Sequence, residues 1–521
     1  MAALRRRLTP MVYVGRSCVN GIPPLSEVPW PSPSHTALRA AVPEVTDPSL
    51  ACVASRIATG QRRQVRLVFF GSSVTAGIRC NHKKERSVNF PQQVEQLITH
   101  RHPQANVSID VYGYPGASPS FMLACHTTLM TTDVADLYVI EMTDNLSDGY
   151  EGVGHAVEGI MSAVRQRAPS AAIMLLAPIP QRCVRSLKRM KPFHRVPIDE
   201  DSTRMLLARD CYSNRSVAAS FEDVGTAHSL VTVSARQLIR EELWRSPLQA
   251  GRVIKHLVHD AVHPSGAGHW HLATALDFAL RQHEPPQSAG VSSSAAASCS
   301  VLPSPGSLER ANLFAPRTAD STGSMVCALG TGLQRHVLNA SGWSYTVEHN
   351  SQGLDKPGFI ADQPGATLDL CHRPKMRAEM NTSRGGYADS RRNVRVAWSL
   401  GYLMSYEHMG KMRGECLSSQ SSCTCGEREF NGHWRLPISQ PHISRLQLSI
   451  RYARRGGDGP LLPAAQLRDS NADCPCIIRL TVVNSTDSGG YKMKLTSLMS
   501  GFYTGTIVSD AVGWAARYGI M

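Results

Sequence analysis

Several things are scarce in this chain. Nowhere in its 521 residues do eighteen apolar residues run together, so a membrane-spanning helix is not expected. No repeat of solenoid period is visible, which removes stacked-repeat architectures. Charged residues make up only 18% against 42% hydrophobic, the balance of a globular chain and not of a disordered one. The length calls for two domains and linkers. No acidic residue precedes Glu27, whereas four arginines do, and the apolar stretches there are too short for a secretory h-region. A transit peptide and an incomplete start both stay open.

The net charge of +14, with a pI near 9.3, would assist contact with anionic surfaces or polysaccharides. Its densest run, Arg182 to Arg195, holds six lysines and arginines but no aromatic beyond Phe193. It reads as a solvated loop, and no nucleic-acid partner is expected. Of fourteen cysteines, Cys416, Cys423, Cys425, Cys474 and Cys476 crowd together late in the chain. Both close pairs are Cys-x-Cys and not the Cys-x-x-Cys knuckle of a zinc site, so disulfides are expected, with Cys327 or Cys371 completing an even number. Disulfides favour an oxidising, secretory route, to which the sequons at Asn106, Asn214, Asn339, Asn381 and Asn484 add.

Residues 1–62 are rich in Pro, Ser and Arg and read as a targeting or loosely ordered extension. A first domain follows over 63–284. Leu67 to Phe70 is a continuous apolar run suited to a strand buried on both faces. Helical and strand patterns then alternate through Val107–Val111, Asp136–Met142 and Ala171–Ile179, giving the β-α-β order of a doubly wound parallel sheet. A Pro/Ser/Ala linker covers 285–311. Over 312–502 the period becomes two, as in Val394, Val396, Trp398, Leu400 and Tyr402, and an all-β sandwich is expected. The tail 503–521 carries no pattern.

Four loops of the first domain carry chemistry. The first strand runs into Gly71-Ser72-Ser73-Val74-Thr75-Ala76-Gly77, a glycine-bounded turn that exposes hydroxyls at the strand end where α/β sheets collect ligands. Asp260 and His263 stand three apart on one loop, so a carboxylate can fix the imidazole tautomer and leave the other nitrogen as a base toward a serine. Gly116 can offer an unobstructed backbone N–H and Asn145 a side-chain amide. With the N–H of Ser73 these make a three-donor oxyanion hole.

Those blocks, in this order, resemble the SGNH (GDSL-type) hydrolase superfamily over roughly residues 64–283. The resemblance implies a three-layer α/β fold, Ser73 as nucleophile, Asp260 and His263 as its triad partners, and Ser73, Gly116 and Asn145 as the oxyanion hole. Two departures are visible. The family's Gly-Asp-Ser has Ser72 in the middle here, which makes Ser72 a rival nucleophile, and Glu141-Met142-Thr143-Asp144-Asn145 leaves Asp144 as an alternative to Asn145. The implied reaction is acyl transfer from an O-acyl ester, plausibly an O-acetyl group on a carbohydrate, with no cofactor or metal required. The partner expected is a small-molecule or polysaccharide ester. An O-acetyltransferase and a non-catalytic glycan-binding protein are the alternatives. Segments such as Gly342-Trp343-Ser344-Tyr345 resemble a β domain that follows SGNH domains in plant and algal proteins. Trp343, Tyr402, Tyr406 and Trp434 could stack on sugars there or simply fill the core.

Overall fold

In the computed structural model the chain divides into two compact units, Met1–Arg317 and Thr318–Met521. The structure describes residues 28, 30–60, 64–77, 89–114, 117, 119–129, 135–142, 149–189, 199–245, 247–260, 262–285, 326–349, 355–372, 391–417, 423–434, 440–454, 461–463, 474 and 476–502. Most of the linker and the whole tail lie outside them.

The first unit is built on five parallel strands, β1 (Val65–Gly71), β2 (Val107–Gly113), β3 (Leu137–Glu141), β4 (Ala172–Ala177) and β5 (Thr232–Ser234). Their spatial order is β2-β1-β3-β4-β5. β1 pairs with β2 on one side and β3 on the other, so Phe69 lies between Val111 and Val139. The strand order reverses at that point, and the crevice beyond the carboxyl ends of β1 and β3 is where such a sheet takes ligands. β3 and β4 are buried along their whole lengths, which needs cover on both faces of the sheet. The helices are α1 (His35–Ala41), α2 (Pro48–Ala58), α3 (Phe90–Arg101), α4 (Pro119–Leu129), α5 (Gly149–Arg167), α6 (Gln181–Arg189), α7 (Glu200–Leu206), α8 (Val217–Ala227), α9 (Ala235–Leu238), α10 (Arg240–Arg245), α11 (Ala250–Leu257) and α12 (Gly266–Gln282). No helix among the described residues is long and apolar enough to cross a membrane.

Two expectations are corrected here. Residues 35–58, read as part of a loose extension, form α1 and α2. Asp47 caps α2 through its carboxylate, which accepts from the N–H groups of Ser49 and Leu50, and Pro48 starts the helix. Leu50, Val53 and Ile57 then enter the same core as Leu67 and Phe69. The spacing 50, 53, 57 is a helix face, hidden by the Pro/Ser/Ala composition around it. Second, the basic run is not wholly a solvated loop. Its first half is α6, which buries Cys183, Val184 and Leu187 and is joined by a Cys183–Cys211 disulfide to the π-helical segment Leu207–Cys211. The remainder, 190–195, lies outside the described residues.

Among the described residues the second unit holds a short helix, Thr331–Gln334, and the strands β6 (Val326–Leu329), β7 (Val337–Ser341), β8 (Ser344–His349), β9 (Asp355–Ala361), β10 (Thr367–His372), β11 (Arg391–Met404), β12 (Lys411–Cys416), β13 (Cys423–Cys425), β14 (Arg428–Asn431), β15 (Gln440–Arg454), β16 (Leu461–Pro463), β17 (Cys476–Val482) and β18 (Met493–Phe502). One sheet has the order β14-β12-β17-β10-β7; the other runs β13-β15-β11-β18-β9-β8, with β16 on β15 and β6 on β18. Inward residues of both, such as Leu368, Leu480, Trp398 and Leu448, share one core, as in a sandwich. β17 shows the alternation cleanly, burying Cys476, Ile478, Leu480 and Val482. Disulfides join Cys371–Cys474, Cys416–Cys425 and Cys423–Cys476, so Cys371 is the cysteine that evens the count of that cluster. Trp343 and Tyr402 are core residues, whereas Tyr406 is exposed and Trp434 packs partly buried against the core.

Candidate active site

β1 delivers the serine turn. Its apolar residues are buried to Phe70, and the chain then turns back on itself, with Ala76 N–H donating to Ser72 O at 3.0 Å and Gly77 N–H to Val74 O at 3.1 Å. Gly71 is required by crowding: a Cβ there would stand 2.0 Å from Thr75 Oγ1 and 2.6 Å from Glu141 Oε2.

Glu141 is the residue that sequence reasoning passed over. It closes β3 and is 1% exposed. Its Oε2 accepts from Ser72 N–H at 2.9 Å, from Thr75 N–H at 3.2 Å and from the Thr75 hydroxyl at 2.8 Å, and the Ser72 hydroxyl donates to Oε1 at 2.9 Å. A buried acidic side chain is retained only where hydrogen-bond partners surround it, and here the donors are the serine turn itself. The available signal was a lone acid ending a buried apolar strand, Leu137-Tyr138-Val139-Ile140-Glu141.

The Ser72 hydroxyl is therefore turned to Glu141. The neighbouring Ser73 Oγ instead lies 2.9 Å from His263 Nε2, and between the two serines the geometry separates cleanly. His263 comes from the loop between α11 and α12. That loop is closed by His259 N–H donating to His263 O at 2.8 Å and Ser265 N–H to Leu257 O at 2.9 Å. Ser265 caps α12 through Gly268 N–H. Gly268 is itself obligatory, since a Cβ would meet Leu257 O at 2.0 Å.

Within the loop Asp260 uses both oxygens. Oδ1 accepts from the N–H groups of Val262 and His263 at 2.7 and 2.9 Å, and Oδ2 lies 2.7 Å from His263 Nδ1. Burial works to raise the Asp260 carboxyl, but the His263 hydrogen bond and charge, with the two backbone donors, outweigh it and hold the group well below the ordinary carboxylate range. An ionised carboxylate only accepts, so Nδ1 carries the proton and Nε2 presents its lone pair to the Ser73 hydroxyl. The arrangement can deprotonate a serine.

Gly116, Asn145 and its alternative Asp144 lie outside the described residues. Among the described residues, the sulfurs of Cys416, Cys423 and Cys476 approach closely enough to hold a metal, but all three are committed to disulfides.

No family model and no curated protein matches the chain. Solved structures do. A crystal structure of a two-domain esterase (CEX) active on acetylated mannans aligns with a TM-score of 0.56 at 13% identity, over 90% of this chain and 99% of that one. The same enzyme co-crystallized with mannopentaose gives 0.54 at 12% identity, over 89% and 99%. The chain thus shares its fold, an α/β unit with a parallel sheet followed by an antiparallel β-rich unit, with a two-domain esterase.

Proposed function

We propose that the protein is a serine esterase of the SGNH type that removes O-acyl groups, above all O-acetyl groups on a carbohydrate. One observation carries the mechanism: the continuous relay Asp260 Oδ2 to His263 Nδ1 at 2.7 Å and His263 Nε2 to Ser73 Oγ at 2.9 Å. In the first step His263 Nε2 takes the Ser73 proton while Oγ bonds to the ester carbonyl carbon, and the carbonyl pair moves onto oxygen. The Ser73 N–H, with Gly116 N–H and the Asn145 amide assigned alongside it, receives that oxyanion. Collapse expels the sugar oxygen, which takes the proton from His263. Water then repeats the sequence on the acyl-serine and releases acetate. Asp260 stays ionised throughout and stabilises the imidazolium.

The choice of an acetylated polysaccharide is supported by the fold shared with an esterase active on acetylated mannans. The test is acetate release from acetylated mannan and from p-nitrophenyl acetate by the purified protein and by Ser73→Ala. Loss of a triad member costs on the order of 10⁴-fold or more in kcat. Equal turnover in parent and variant would reject Ser73 as nucleophile, and turnover of the small ester without release from mannan would move the substrate elsewhere.

A further inference from the structure

The basic helix α6 turns its single lysine, Lys188, inward. α6 is fixed to the neighbouring π-helical segment in three ways: by the Cys183–Cys211 disulfide, by the Ser186 hydroxyl donating to Asp210 Oδ2 at 2.7 Å, and by Arg182 pairing with Asp210 at 2.9 Å. From this anchored helix Lys188 Nζ reaches three successive carbonyls of the triad loop, Val258 at 2.8 Å, His259 at 2.9 Å and Asp260 at 2.5 Å. An ammonium has three protons and no acceptor, and three convergent carbonyls use all of them. Three adjacent oxygens aimed at one point repel each other without a cation between them. Burial and the nearby Lys255 pull the Lys188 ammonium below its ordinary value, while the Asp260 charge favours its protonated form.

We propose that Lys188 is a positioning residue of the esterase reaction, holding the Asp260–His263 loop at the distance from Ser73 that proton transfer needs. This rests on the triad assignment above. Lys188 acts through the backbone that carries Asp260 and touches no substrate, so its removal acts on kcat and leaves KM in place.

The test compares purified full-length parent, Lys188→Met and Lys188→Arg on p-nitrophenyl acetate, with thermal unfolding alongside. Lys188→Met keeps most of the aliphatic length and loses the charge. Its kcat is expected to fall about 10- to 100-fold, the cost of a catalytic group displaced by about 1 Å, with KM within about twofold of the parent. Lys188→Arg, which restores a cation with several donors, is expected to recover part of that loss. Should Lys188→Met fail to fold, Lys188→Gln is read by the same criteria. An active parent with a Met variant of equal kcat overturns the role of Lys188 alone. So does a Met variant whose loss lies in KM. A folded parent that neither hydrolyses the ester nor reacts at Ser73 with a phosphonate overturns the triad assignment, and this proposal with it.

Discussion

Replacing Glu141 tests how the serine turn is held. In Glu141→Ala the N–H groups of Ser72 and Thr75 lose the oxygen they share, while the two hydroxyls can rotate toward other acceptors. Each buried N–H left without an acceptor costs about 1–3 kcal/mol, so the pair costs about 2–6 kcal/mol. That is a large part of the roughly 5–15 kcal/mol that holds a domain folded. Glu141→Gln keeps one carbonyl oxygen and much the same volume, and its loss is expected to be smaller than that of the Ala variant. Urea unfolding followed by circular dichroism measures both. Esterase turnover of the folded fraction reports whether Ser73 has moved, and a displacement of about 1 Å is expected to lower kcat by about 100-fold. An Ala variant within about 0.5 kcal/mol of the parent, the range of an ordinary surface substitution, would refute the role given to this carboxylate.

Two further outcomes follow from the same structure. Burial holds His269 down at about 3, with the charge of His263 adding to it, and burial likewise holds His271 at about 4. Unfolded histidines take up protons near pH 6.5, so the unfolded chain binds more protons below that pH and stability falls on acidification, by up to about 1.4 kcal/mol per pH unit for each histidine. Melting temperature against pH should slope downward from about pH 6.5 to pH 4, and less steeply in His269→Gln; equal slopes would argue that His269 is not held neutral. The Cys183–Cys211 bridge closes a separation of 28 residues, worth about 3–4 kcal/mol by chain entropy. A Cys183→Ser/Cys211→Ser variant as stable as the parent in denaturant would mean that the bridge adds nothing beyond the packing of α6.

The legible parts of the chain were those whose signal is local. Leu67 to Phe70 announced a buried strand because four consecutive apolar residues stop at a glycine. Asp260 and His263 stood out because their spacing is short enough to be read within one loop. β5 was missed because three residues, Thr232 to Ser234, are too few to show a period. Glu141 was passed over because its partners lie 66 and 69 positions away, and the local signal, a lone acid ending an apolar strand, does not say which way the side chain turns. Lys188 disappeared for a similar reason: in a run with five other basic residues its charge looked solvated, and only the return of the chain 70 positions later supplies its three carbonyls. α2 is a different case. Its cap, its first-turn proline and its apolar face are all written at Asp47, Pro48, Leu50, Val53 and Ile57, and composition masked them.

Activation of Ser73 by His263 is tested by covalent labelling of the native protein with a fluorophosphonate, followed by peptide mass mapping. The expected result is a single adduct on Ser73 that is lost when His263 is replaced by Ala; an adduct on Ser72, or a folded protein that takes up no label, would contradict the account.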